Sequence, residues 1–321
     1  MTSALETMPL GKAGPRISRL GMGCWAIGGH GWGRVKEEDS IRALRCALDH
    51  GVTFFDTADA YGLGKSETLL ASVLGSARMK VTIASKGGVR WDDSGKVWSD
   101  NSPGYLRLAL ENSLRRLKLD CIPLYYIHKP DHVTPIEQSV AALARMREEG
   151  KIGAIGVANF TVDQLRQALR VAPVAAAQVR FNVFDSVAGK ELLGICREKG
   201  ITLVAWGALA DGLLTGKFSA GAIFDADDHR SRMKEFTGNA LSEYVESVRM
   251  LEQVAARRGR RVSQLALRWV LDFADVTCSL FGAKTDIQVR ENLGAAGWRL
   301  TKDELRVIDH LAEERIAFPR R

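Results

Sequence analysis

Three ionisable residues, Asp56, Lys86 and His128, each close a short run of β-branched, aromatic or aliphatic residues, and Tyr61 follows Asp56 by five positions. The stretch Val52-Thr53-Phe54-Phe55 has the composition of a buried strand, which breaks at Asp56 into small and polar residues. Tyr61 then falls in a loop that Gly62 and Gly64 close. The separations Asp56 to Lys86 and Lys86 to His128 are 30 and 42 residues. Each is about one strand-helix unit of a barrel of roughly 250 residues. Neighbouring strands lie about 4.8 Å apart, so these side chains would converge beside Tyr61 at the carboxyl edge of the sheet.

Such a cluster has a specific chemistry. A phenol with a pKa of about 10 is a poor acid at neutral pH, and an adjacent ammonium is expected to lower that value. Lys86 supplies the ammonium, Asp56 keeps it charged, and the imidazole of His128 orients a substrate oxygen. Together they suit protonation of an oxyanion that develops from a carbonyl. Singly, Tyr61 reads as a loop tyrosine and Asp56 with Lys86 as a structural salt bridge; the joint placement is what carries the reading. Lys86 as a Schiff-base nucleophile of a barrel lyase is a rival use of the same residue.

The elements that must position these groups follow from the pattern. A hairpin is expected from Met8–Leu10 and Arg16–Leu20, turning around Lys12–Gly14. Eight strands follow: Leu20–Cys24, Thr53–Asp56, Val81–Lys86, Ile122–His128, Ile152–Val157, Ala176–Arg180, Thr202–Trp206 and Thr277–Phe281. Amphipathic helices are expected between them. Ser102-Pro103 opens one, with Leu106, Leu110, Leu114 and Leu117 at helical spacing. Thr134 with Glu137 and Thr161 with Gln164 read as capping boxes, Gly150 as a stop, and Asp185 as the cap of a helix that Gly200 ends. Others span Lys36–His50, Glu67–Leu74, Glu243–Arg258, Gln264–Leu271 and Asp286–Leu293, and a last one after Thr301 packs outside. The pattern predicts an α/β fold, a (β/α)8 TIM barrel with an N-terminal β-hairpin and extra peripheral helices, as a single domain over 1–321. A doubly wound sheet is the alternative. The long gaps Gly87–Asn101 and Gly207–Asn239 become active-site loops. Trp25, Trp32, Trp91 and Trp98 fall in loops at that end, the first three being candidate substrate-pocket walls.

Bulk properties narrow the class. The 321 residues are 46% hydrophobic and 26% charged, which excludes a disordered or fibrous chain. The 45 basic against 38 acidic residues are scattered, favouring a small anionic ligand over a nucleic-acid surface. Five widely spaced cysteines give neither a disulfide framework nor a zinc site. His128 and His132 have a metal-like spacing, but Pro130 between them prevents a continuous helix, so no metal is expected. Gly21-Met-Gly23-Cys-Trp-Ala26 mimics a dinucleotide fingerprint, yet the next helix begins only near Lys36, too late to receive a phosphate. With no apolar run of membrane length and no apolar leader, a cytoplasmic protein without membrane or nucleic-acid partners is expected.

Several stretches, in order, resemble the aldo-keto reductase superfamily: Asp56-Thr-Ala-Asp-Ala-Tyr61, Ser85-Lys86-Gly87, Ser113-Leu-Arg-Arg-Leu117, Ile127-His128-Lys-Pro130, Gly150 to Phe160, and Gly282-Ala-Lys-Thr285 with Glu291-Asn292. The resemblance implies a barrel that reduces an aldehyde or ketone with NADPH bound in extended form, and a tetrad of Asp56, Tyr61, Lys86 and His128 in which Tyr61 is the general acid. It further implies that Asn159 and Gln178 hold the nicotinamide carboxamide and that Trp206 stacks on its ring. Gly207, Leu209, Gly212, Leu214, Gly216 and Lys217 would form the loop over the pyrophosphate. Lys284, Thr285 and Gln288, with Gly282 and Glu291, would meet the adenosine 2′-phosphate end at a helix N-terminus, and Asn292 the adenine. Thr285 and Gln288 equally read as a plain capping box. Ala158 stands where many members have serine, and Pro123 where an acidic residue is common before the fourth strand. Some members of the superfamily are channel-associated, so a cofactor-binding regulatory subunit with little turnover is the alternative function.

Overall fold

The chain opens with a hairpin of β1 (Thr7–Pro9) and β2 (Arg16–Ser18). Barrel strands β3 (Leu20–Gly23), β4 (Phe54–Asp56) and β5 (Thr82–Gly87) follow. A two-stranded ribbon, β6 (Val89–Trp91) and β7 (Val97–Ser99), interrupts them. Then come β8 (Ile122–Ile127), β9 (Ile152–Ala158), β10 (Ala176–Arg180), β11 (Thr202–Trp206) and β12 (Thr277–Gly282). In the computed structural model, which describes residues 4–92, 96–274 and 277–316, parallel pairing runs β3-β4-β5-β8-β9-β10-β11-β12 and back to β3. This is the closed eight-stranded (β/α)8 barrel expected from the pattern, with strand limits within one residue of the predicted ones. The helices are α1 (Glu37–Asp49), α2 (Lys65–Leu74), α3 (Pro103–Leu117), α4 (Ile136–Glu148), α5 (Val162–Val171), α6 (Val187–Lys199), α7 (Gly238–Ala256), α8 (Val262–Phe273), α9 (Asp286–Leu293) and α10 (Lys302–Ile316).

Local chemistry sets most boundaries. Ser102 accepts the Tyr105 amide ahead of Pro103, and Thr161 and Gln164 form the capping box in full. Two caps differ from expectation. The Thr134 hydroxyl donates to Asp131 Oδ2 (2.7 Å), a charge-assisted bond that outcompetes capping, so Pro135 holds the N-cap of α4. Asp185 pairs with Arg180 at 3.2 Å, leaving Ser186 at the start of α6. Pro123 lies inside β8 rather than before it. Helix α7 begins five residues earlier than its periodicity indicates; Gly238 and Asn239 are poor helix formers, and burial of Leu241 holds the first turn. Of the loop Gly87–Asn101, residues 93–95 lie outside the described residues, and the remainder contains the β6–β7 ribbon.

The core has two parts. Inside the barrel, Phe54, Leu124, Tyr126, Val204 and Leu280 pack with Met8, Leu10 and Ile17 of the hairpin, which plugs the end opposite the strand carboxyl edge. Outside, a larger apolar layer joins strands to helices. Ionic ties fix the plug. Arg19 donates to the carbonyls of Leu271, Ala274 and Thr277, and Glu6 accepts from Arg268 at 2.5 Å. Arg268 is fully buried and also pairs with Asp272 at 2.7 Å. Arg268→Met should leave Glu6 with only the longer contact to Arg19 (3.3 Å) and Asp272 with only Arg299 at 4.0 Å, and lower the unfolding free energy by about 1–3 kcal/mol, measured by urea titration.

Candidate active site

Lys86 is the centre of the site. It projects from β5 with none of its surface exposed, and its Nζ donates to Asp56 Oδ1 (2.5 Å), to the Thr57 carbonyl (2.8 Å) and to Tyr61 Oη (3.2 Å). Burial disfavours this charge, but Asp56 and then Tyr61 outweigh the penalty and raise the lysine pKa. The second oxygen of Asp56 accepts from Gln178 Nε2 at 2.7 Å, so both oxygens are used. The His128 ring stands edge-on to Tyr61, centroids 5.8 Å apart. Burial, then the Lys86 ammonium, pushes the His128 pKa well down, so the imidazole is neutral at physiological pH. Its Nδ1 has no partner among the described residues. Four groups read from three separate stretches therefore meet at one strand-end site.

One electrostatic expectation is reversed. Tyr61 has its pKa raised rather than lowered, because burial disfavours the phenolate more than Lys86 favours it. The hydroxyl is thus firmly protonated, and the ammonium beside it stabilises the anion only once the proton has gone.

Above the tetrad a cavity of about 350 Å3 extends across the ends of β11, β12 and β3. Trp25, Trp32, Asp56, Tyr61 and Trp206 line one part of it. Trp25 stacks on Tyr61 with centroids 6.0 Å apart, and Trp32 stands edge-on to Trp25. Trp91 is on the β6–β7 ribbon and is not among the lining residues. Asn159, at a left-handed φ of 59°, donates to the His128 carbonyl and accepts from Trp206 Nε1, both at 3.0 Å. Asn159 and Gln178 thus spend amide groups on the protein's own site, bracing His128, Trp206 and Asp56.

The far part of the cavity is basic. Lys217, Arg230 and Lys284 all line it, with Gly207, Leu209, Gly212, Gly282, Gln288, Glu291 and Asn292. Lys217 reaches solvent at the rim, yet loss of water on its cavity side, then Arg230 and Lys284, brings its pKa down to about 8. Lys284 donates to the Trp32 carbonyl and is shifted down by burial and Arg230. Leu214, fully buried, and Gly216, packed on Glu252, shape the turn without lining the cavity. Thr285 caps α9, accepting the Gln288 amide, and also stands back from the cavity. Sequence reasoning missed Arg180, Asp211, His229, Arg230 and Arg261. Arg180 shares a strand face with Gln178, a period-two signal that was available; the loop residues had none.

The sequence profile of the Aldo/keto reductase family matches residues 19–313. The chain belongs to the aldo/keto reductase family. It is 34% identical over 318 residues to aldo-keto reductase YhdN of Bacillus subtilis, covering 98% of this chain and 96% of that protein. Its structure is similar to that of the glycerol dehydrogenase AKR11B4 from Gluconobacter oxydans, with a TM-score of 0.90 and 35% identity over 99% of this chain and 98% of the other. The holo form of aldo-keto reductase AKR11C1 from Bacillus halodurans matches with a TM-score of 0.79 and 26% identity, over 96% of each chain. Family membership implies an oxidoreductase with a nicotinamide cofactor and a small carbonyl substrate. No helix among the described residues is long and apolar enough to cross a membrane.

The Tyr61 loop tolerates little change. Gly62 has a φ of 60°, and a methyl group there would lie 2.4 Å from the Gly28 carbonyl oxygen. Gly62→Ala should cost about 1–3 kcal/mol and lower the melting temperature, because backbone faces backbone at that contact.

Proposed function

We propose that the protein is an NADPH-dependent reductase of aldehydes and ketones, with Tyr61 as proton donor. The observation that carries this reading is the Lys86 ammonium, held 2.5 Å from Asp56 and 3.2 Å from Tyr61 beside a cavity whose other part gathers Lys217, Arg230 and Lys284. An extended cofactor with a nicotinamide at one end and phosphates at the other fits that polarity. Trp32 Nε1, a buried donor without a partner among the described residues, adds a group suited to a phosphate or ribose oxygen. Gly207 and Gly212, at φ of 65° and 102°, let the loop backbone follow it closely. Lys284 beside the N-terminus of α9 favours the 2′-phosphate form. When bound, the cofactor supplies a hydride to the carbonyl carbon.

The protein's own groups do the rest. Neutral His128 and the Tyr61 hydroxyl orient the carbonyl oxygen, and Tyr61 gives its proton to that oxygen as negative charge develops there. Lys86, already paired with Asp56, stabilises the resulting phenolate until solvent restores the proton. Trp25 and Trp32 keep water from the reacting atoms on one side. The relative from Gluconobacter oxydans is named a glycerol dehydrogenase, so small polyols and their aldehydes belong in the first substrate panel beside activated aromatic aldehydes.

The test is cofactor absorbance during incubation of the protein with NADPH and that panel. Turnover should appear, and Tyr61→Phe should lower kcat by about 10²–10⁴ while NADPH binding is retained. NADPH binding without turnover of any carbonyl would replace this reading with that of a binding subunit. The charge state of Lys217 gives a second expectation. A phosphate is held by the ammonium form, which the free protein loses as pH rises through about 8. NADPH affinity should therefore fall above that pH, by up to about tenfold per unit, and Lys217→Met should flatten the slope in isothermal titration calorimetry.

A further inference from the structure

The adenosine end of the cavity carries a charge pair of its own. Arg261, at the head of α8, and Glu291, on α9, both line it, and Arg261 Nη1 lies 3.2 Å from Glu291 Oε2. Two residues of the first turn of α8 fix that contact. Ser263 Oγ donates to Glu291 Oε1 at 2.8 Å, so the carboxylate is held on both sides. Gln264 accepts the Arg261 amide on Oε1 at 3.1 Å and donates from Nε2 to the Glu291 carbonyl at 2.8 Å. The head of α8 is thereby tied to α9. The Arg261 side chain is 73% exposed and that of Glu291 24%, so the cation stands on the solvent side of the pair.

A carboxylate is the wrong group to meet a phosphate, because like charges at close range repel. The neighbours on α9 are already engaged. Lys284 Nζ donates to the Trp32 carbonyl, Gln288 Oε1 accepts the Lys284 amide at 2.7 Å, and Thr285 caps the helix. Lys284 therefore turns its charge toward Trp32, and Arg261 is the cation in contact with Glu291. We propose that Arg261 is a further determinant of cofactor choice: it cancels the Glu291 charge and offers its remaining N–H groups to a 2′-phosphate, so that NADPH is held in preference to NADH. The inference rests on the proposed NADPH site. Arginine suits the task, since its planar fork carries five donors and one carboxylate contact leaves several of them for phosphate oxygens. A 2′-hydroxyl has no charge to lose to Glu291 and none to gain from Arg261, which is why the pair discriminates.

The test is titration of the full protein with NADPH and with NADH, followed by tryptophan fluorescence. In Arg261→Gln the Kd for NADPH should rise about fivefold, the scale of one exposed charge pair, while the Kd for NADH stays within about twofold of the wild type. Adding Glu291→Gln to that variant should restore most of the NADPH affinity, because the repelling charge goes with it; a merely structural role of Arg261 gives no such rescue. Should Arg261→Gln fold poorly, Glu291→Gln alone carries the test, with NADPH bound more tightly and NADH unchanged. A ratio of the two dissociation constants within about twofold of the wild type in both single variants overturns the proposal, even if their melting temperatures fall. A wild type that binds NADPH no more tightly than NADH overturns the cofactor named in the proposed function as well, whereas an unchanged ratio in variants of an NADPH-preferring wild type overturns only this inference.

Discussion

An ammonium with no exposed surface is the constraint on which the rest of this structure depends. Removing Lys86 from water costs several kcal/mol, and only partners held at close range can offset it. One carboxylate oxygen of Asp56, one backbone carbonyl and one phenol oxygen supply them, and each comes from the stretch 56–61. A parallel barrel suits this need because adjacent strands deliver their last residues to the same edge. The register places Asp56 opposite Ala84, so that Lys86, two residues on, reaches over the end of β4. Tyr61 then inherits its setting from the lysine.

Such a contact holds only if the loop and the strand cannot move apart, and a second polar layer behind the site secures them. Glu67 of α2, fully buried, accepts from Ser85 Oγ at 2.5 Å and from Arg116 Nε of α3 at 2.6 Å. Ser66 beside it donates to the Cys24 carbonyl and accepts from Thr57. Two of the stretches that carried the family resemblance, around Ser85 and around Ser113 to Arg116, thus meet behind the tetrad as a brace. A buried carboxylate with two strong donors is stable where a lone one would not be.

What the sequence disclosed follows from how local the cause is. Strand ends and their polar residues were legible because a buried parallel strand needs an unbroken apolar run, and the residue that breaks it sits at the functional edge. Asp56, Lys86 and His128 stood out for that reason. The direction of the Tyr61 pKa was not legible, since it turns on how much water burial removes, a property of the closed site rather than of neighbours in the chain. The start of α7 and the placement of the segment near His229 were likewise set by contacts between distant segments, whereas the caps of α4 and α6 turned on side-chain bonds to Asp131 and Arg180, three and five residues away. Asn159, just past β9, and Gln178, inside β10, stood out in the sequence, yet only coordinates reveal that their amides already brace His128, Trp206 and Asp56.

Asp59 carries the electrostatic logic one step further. It lies on the same loop, 1% exposed, with both carboxyl oxygens lacking hydrogen-bond partners among the described residues. Burial, reinforced by Glu67, raises its pKa well above the usual carboxylate value and so favours the neutral acid. An ionised Asp59 would compete with Glu67 for Arg116 and with Asp56 for Lys86, loosening both the brace and the tetrad. Kept neutral, it leaves Asp56 as the carboxylate that answers the lysine. The single positive charge at the heart of the site is thereby matched by a single negative one, and the phenol between ammonium and cavity is the group left with a proton to give.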